Sequence, residues 1–241
     1  MGCWYEGPLA AFDTETTGVD TERDRIVAAA LVVQAGAGQP PQIRRWLVDP
    51  GIPVPGPAAR VHGLSAEHLR AHGRPPGPVV EELARALAGQ AAAGVPLVVM
   101  NAPFDLTLLD RELKRHRAAS LTGHLGRFSL CVLDPLVLDK QLDRHREGRR
   151  TLARLCAAYD VPLAAPHDAA SDAAAALGVV RALGRRYAPR LSRLSPAQLH
   201  TLQAVWYAAA ARGLTAWFAP AVPGHPVDPA WPLRPGLPAA A

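Results

Sequence analysis

The stretch Phe12-Asp13-Thr14-Glu15-Thr16-Thr17-Gly18 decides how the rest of the chain is read. Two acids alternate with small β-formers inside an apolar run that begins at Leu9. On a strand, residues two apart project to the same face, so Asp13 and Glu15 point together. Side-by-side carboxylates repel unless a proton or a cation lies between them. Thr16, Thr17 and Gly18 then turn the chain, and Gly18 lets backbone approach a ligand closely. A carboxylate pair at the end of a buried strand suits a hard divalent cation, magnesium or manganese, held by oxygen. An exposed strand end with two solvated acids is the alternative, and this stretch alone leaves the two even.

Working outward, Ile26–Val33 and Ile43–Val48 read as further strands. Short loops with Gly and Pro separate them from the first, which predicts antiparallel neighbours. The prolines of residues 49–55 forbid a helix there, and Ser65 can cap a short helix before Gly73. Helical spacing over Val79–Ala92 is followed by a short strand at Leu97–Met100 and a helix that opens at Pro103 and ends near His116. Phe128–Leu133 reads as a fifth strand, and Asp134-Pro135 starts another helix by cap chemistry. Thr151–Tyr159 and Ala169–Tyr187 read as helices. Ser195-Pro196-Ala197-Gln198 has the form of a capping box, opening a helix that Gly213 is expected to stop. Three strands followed by alternating strands and helices predict an α/β domain with a five-stranded mixed sheet. The expected organisation is a catalytic domain over 1–190, a helical extension over 191–219, and a Pro/Ala-rich disordered tail over 220–241.

The chain has 241 residues, 49% of them hydrophobic, enough for one sizeable core. No apolar run approaches the roughly 18 residues of a membrane span, and no secretory signal pattern is visible at the N-terminus. Cys3, Cys131 and Cys156 are odd in number and scattered, which suits reduced thiols in a cytoplasm. The net charge of +5 favours polyanionic partners weakly. Lys114 and Lys140 are the only lysines, and the arginine, alanine and proline excess also fits a GC-rich genome.

Two further sites carry acids. Asp105 falls in the first turn of a helix just past a strand, where the helix dipole alone favours a carboxylate. In His167-Asp168-Ala169-Ala170-Ser171-Asp172, Asp168 is the natural helix cap, whereas Asp172 lies one turn further in and is less easily explained by capping. His167 alone reads as readily as a loop residue as a base.

Taken together, these sites resemble the DEDDh family of 3′–5′ exonucleases, which includes the proofreading subunit of bacterial DNA polymerase III, RNase T and oligoribonuclease. Asp13 and Glu15 match its first motif, Asp105 its second, and His167 and Asp172 its third, with the family's five-residue step. Val61-His62-Gly63-Leu64, Asp134-Pro135-Leu136 and Thr151-Leu152 also resemble family segments, so the likeness runs from about Leu9 to Tyr187.

The resemblance implies a ribonuclease H-like fold and two Mg2+ or Mn2+ ions. Asp13 would bridge both ions, Glu15 and Asp172 would hold the first, Asp105 would support the second, and His167 would take the proton of the attacking water. It also implies contacts from Thr16, Thr17 and His62 to the terminal nucleotide, while Phe104 packs either beneath the site or beside a base. Arg144, Arg146, Arg149 and Arg150 read as a solvated loop or as phosphate contacts. The expected activity is removal of nucleotides from 3′ ends of single-stranded DNA, in proofreading or repair, with a polymerase as a possible partner. RNA trimming on the same fold and a silent module that binds nucleic acid or a polymerase are the competing classes.

Overall fold

The computed structural model describes residues 2–219 and 226–236. β1 (Leu9–Thr16) is the central strand, because its apolar residues are buried on both faces. It pairs antiparallel with β2 (Ile26–Gln34), which pairs antiparallel with β3 (Gln42–Leu47). On its other side β1 pairs parallel with β4 (Leu97–Val98), and β4 with β5 (Val132–Leu133). The sheet order is therefore β3-β2-β1-β4-β5, five strands in mixed array as the sequence predicts. The two parallel pairings require crossovers, and helices supply them.

Alternation along β1 divides the core. Ala10 and Phe12 face one layer with α3 (Pro76–Ala92), α4 (Ala102–Arg117) and α5 (Leu121–Leu125). Leu9 and Ala11 face the other, with α6 (Pro135–Leu142), α7 (Leu152–Ala158), α8 (Ala169–Arg186), α9 (Ala188–Leu191) and the start of α10 (Pro196–Phe218). Two short helices, α1 (Gly56–His62) and α2 (Ala66–His72), follow β3. Ser65, Asp134, Thr151, Asp168 and Ser195 each cap the helix they precede through a side-chain oxygen. None of the helices described is long and apolar enough to cross a membrane.

Several expectations are corrected. The fourth and fifth strands are two residues each, and 128–131 lies outside the ladder. Residues 49–55 form no helix, as expected, but the sequence reading missed α1, which starts immediately after them with Pro57 in its first turn, where the missing N–H costs nothing. Gly213 does not stop α10. The last turn is held by a returning segment, in which the Val227 N–H donates to Thr215 Oγ1 at 2.8 Å. That segment also corrects the disordered tail for residues 226–236. Trp231 is only 8% exposed, the Arg234 N–H donates to Thr107 Oγ1 at 3.0 Å, and Arg111 donates to the Pro235 carbonyl at 2.7 Å. A single tryptophan and backbone polar groups carry this docking, which composition does not register. The remainder of the expected tail, 220–225 and 237–241, lies outside the described residues.

Candidate active site

The site forms where β1 ends between the N-termini of α4 and α8. Asp13 and Glu15 share the face of β1 that α8 covers, and Asp172 comes from the first turn of α8. One carboxylate oxygen from each of the three lies within 4.8 Å of the others. The pairing of β1 with β2 shifts register between Glu15 and Thr16, which ends the regular ladder just beyond the acids.

The turn after Glu15 is fixed by its own hydroxyls. Thr16 Oγ1 donates to the Gly18 carbonyl at 2.6 Å, and Thr17 Oγ1 donates to Asp24 at 2.8 Å while accepting the Arg25 N–H at 3.0 Å. A Cβ on Gly18 would stand 2.5 Å from Asp24 Oδ2, so a larger residue there would displace the carboxylate that accepts the Thr17 hydroxyl.

Asp105 reaches the site from the opposite layer. Its Oδ1 accepts the Thr14 N–H at 3.1 Å and the Thr14 hydroxyl at 2.6 Å, so the residue between the two strand acids aims the third acid. Asp105 is not in the 4.8 Å group, but its charge bears on both Asp13 and Glu15.

Burial and mutual repulsion together raise the pKa of every acid here. Burial, then the Asp172 and Asp105 charges, push Glu15 up to about 8. Burial followed by the charges of Asp105, Glu15 and Asp172 holds Asp13 well above the usual carboxylate range. Burial raises Asp105 to about 7 against the opposing hydrogen bonds from Thr14, and burial raises Asp172.

These residues fit a divalent cation. Asp172 Oδ2 accepts the His167 N–H at 3.2 Å, while Asp172 Oδ1 is buried with no protein partner. An orphaned carboxylate oxygen, two further carboxylates within reach and an all-oxygen donor set are what magnesium or manganese binds. A bound cation also removes the repulsion that raises the pKa values.

His167 is exposed, on a backbone with φ of 64°, and with Glu15 and His62 it lines a cleft of about 280 Å3 that extends over Arg45 of β3. His62 Nδ1 accepts the Leu64 N–H at 3.1 Å, which leaves the proton of its neutral ring on Nε2, buried and without a protein partner. Burial lowers its pKa, which favours that neutral form. Phe104, in the first turn of α4, packs partly buried against the core. Arg146 and Arg150 are not in a solvated loop. Both pair with the fully buried Asp139, Arg150 Nε at 2.8 Å, and the Tyr159 hydroxyl donates to the same carboxylate at 2.7 Å. Arg144 and Arg149 remain exposed.

Sequence reasoning missed Thr14 as the residue that orients Asp105. It read Asp134 as a cap for its own helix within a family-like segment, and did not foresee that its carboxylate also accepts the Asn101 and Ala102 N–H groups. Threonine between two acids gives a weak signal for the first, and nothing local signals the second.

Residues 10–180 match the family model RNase_T, described as exonuclease. The chain belongs to this exonuclease family. Over 106 residues it is 36% identical to a DNA polymerase III subunit epsilon-like protein of Rhodobacter capsulatus, a match that spans 43% of this chain and 14% of that protein. Exonuclease I from Methylocaldum szegediense superposes with a TM-score of 0.62 at 19% identity, covering 86% of this chain and 43% of the other. The zinc-bound E. coli ExoI–ssDNA complex superposes at 0.64 and 18%, covering 77% and 42%. At these identities the superpositions establish the shared α/β exonuclease fold, and the family member described here spans less than half of each of these relatives.

Proposed function

We propose that this chain is a divalent-metal-dependent exonuclease that removes nucleotides from the 3′ ends of single-stranded DNA. The observation that carries the reading is the convergence of Asp13, Glu15 and Asp172 within 4.8 Å, beside the buried Asp105 and the exposed His167. Asp13, Glu15 and Asp172 would hold the cation by oxygen, with Asp13 shared toward a second ion that Asp105 supports. When bound, two divalent cations supply positive charge to the attacking and leaving oxygens of an in-line displacement at phosphorus. His167 takes the proton of the attacking water as its oxygen bonds to phosphorus. The bond from phosphorus to the 3′ oxygen breaks, releasing a nucleoside 5′-monophosphate and a new 3′ hydroxyl. By the family resemblance, His62, the turn at Thr16 and Thr17, and Phe104 would border the space for the terminal nucleotide, and His62 lines the cleft beside Glu15 and His167. The DNA preference is supported by the resemblance to a polymerase III subunit epsilon-like protein and to a fold that binds ssDNA in the E. coli complex, and the same resemblance favours a role beside DNA synthesis or repair.

A 5′-labelled oligonucleotide tests the reading. A ladder of shortened products in Mg2+ or Mn2+, lost on chelation and absent with Asp13→Ala, is expected. Matched RNA and DNA strands compared at equal concentration assign the sugar, since discrimination rests on the 2′-hydroxyl. Full activity of purified Asp13→Ala, or cleavage that ignores chelator, would sink the metal assignment.

A further inference from the structure

The family match ends at residue 180, yet residues beyond it reach the support of Asp105. Asp105 lies in the first turn of α4, and that turn has no cap of its own: Asn101 precedes it at φ 60° with no side-chain hydrogen bond. The cap comes from Asp134, which is fully buried. Asp134 Oδ1 accepts the N–H of Asn101 at 3.1 Å and of Leu136 at 2.9 Å, and Oδ2 accepts the N–H of Ala102 at 3.0 Å. One carboxylate thus ties the start of α4 to the start of α6.

Asp134 is in turn held by the C-terminal extension. Gln203 of α10, itself fully buried, accepts the Asp134 N–H through Oε1 at 2.7 Å. Its Nε2 is fixed by the Val132 and Leu199 carbonyls, each at 3.1 Å. The Trp231 indole nitrogen stands 3.5 Å from Asp134 Oδ2, with the ring buried against His200. A buried amide held by three hydrogen bonds has a single orientation, so it fixes where the Asp134 backbone sits. The indole closes the remaining side of the carboxylate.

We propose that Gln203 and Trp231 are positioning residues for Asp105, acting through Asp134, so that the extension belongs to the apparatus of the active site. The inference rests on the reading of Asp105 as support for a bound cation. Residues that orient a metal-supporting group through a hydrogen bond typically change metal affinity or activity about 10–100-fold when removed.

The test uses the full chain with Gln203→Met, which keeps volume and removes the hydrogen bonds, and the milder Trp231→Phe, which keeps a ring and removes the indole N–H. Gly184→Ala is the stability control: its added Cβ would meet Tyr5 at 2.4–2.5 Å, remote from the acids. Amide hydrogen exchange is measured without metal, and Mn2+ affinity by calorimetry without DNA. Expected is faster exchange at the Asn101 and Ala102 amides than in β1 and β2, and Mn2+ binding weakened about 10-fold or more in Gln203→Met. Gly184→Ala should lower thermal stability and leave Mn2+ affinity unchanged. Variants that match wild type in Mn2+ affinity within about twofold, with exchange raised evenly over the domain, would overturn the inference alone. A wild type that neither binds Mn2+ nor degrades DNA would overturn the functional reading beneath it.

Discussion

At the scale of single residues, the acids at the end of β1 make the metal-free protein sensitive to pH in an unusual direction. Glu15 is raised from 4.5 to about 8 and Asp105 from 3.8 to about 7, so between these limits the folded state binds more protons than the unfolded state. Their contribution to stability is therefore full below about pH 4 and is lost as pH rises toward 8. Thermal unfolding in chelator should show a melting temperature that falls from pH 5 to pH 8, a fall that Mg2+ reverses and Glu15→Gln reduces. A metal-free profile that is flat or rises would contradict the electrostatics described for the site. His167 makes the complementary case for chemistry. Its side chain is exposed while its backbone N–H is tied to Asp172. His167→Ala should keep DNA and metal binding but lower kcat by roughly 10²–10⁴, with partial rescue by added imidazole. A drop below about tenfold would leave His167 a loop residue. The placement of Asp13, Glu15, Asp105, His167 and Asp172 around one site was legible because alternation on a strand, a helix start and a five-residue step each have a periodic or positional signature. Thr14 and the buried oxygen of Asp172 were not, since contacts across about 90 positions of sequence leave no local trace.

At the scale of elements, the segment after α6 shows how charge can be misread. Its arginines form a basic run in sequence, and a basic run beside a nuclease site suggests phosphate contact. In the fold, Arg146 and Arg150 converge on Asp139, a carboxylate buried on α6. Arg150→Gln should therefore cost about 1–3 kcal/mol of stability, because it strips a charged hydrogen bond from a buried acid. It should leave the slope of log affinity against log salt for single-stranded DNA unchanged. A slope flattened by roughly 0.7 would show that Arg150 neutralises a phosphate after all. The regular elements themselves were largely legible, since apolar runs and capping residues are local. The two-residue strand β4 was overestimated because buried Val99 continues the apolar run past the ladder, and β5 because apolar Phe128 lies exposed in the loop before it.

At the scale of the whole molecule, five strands in mixed order follow from the sequence of apolar runs, but the path of the C-terminal segment does not. Residues 226–236 return along α10 and pack Trp231 into the core layer that holds α3 and α4. Removing everything from residue 226 onward should lower the melting temperature, since truncating a buried tryptophan alone typically costs about 3–5 kcal/mol. An unchanged melting temperature would mean that this docking carries no energy. The attachment of α10 has another consequence. Among the described residues, the outer edge of β5 meets no strand. Its Val132 N–H donates to His200 Nδ1 at 3.0 Å, and its Val132 carbonyl and the Asp134 N–H are taken by Gln203. β3, at the opposite edge, guards itself with exposed Arg44 and Arg45. β5 has no such charges, being built from Val132 and Leu133. A nuclease cut back to the limits of its family match would present that bare edge to its neighbours and would self-associate in concentrated solution, besides losing the support that Gln203 gives Asp134.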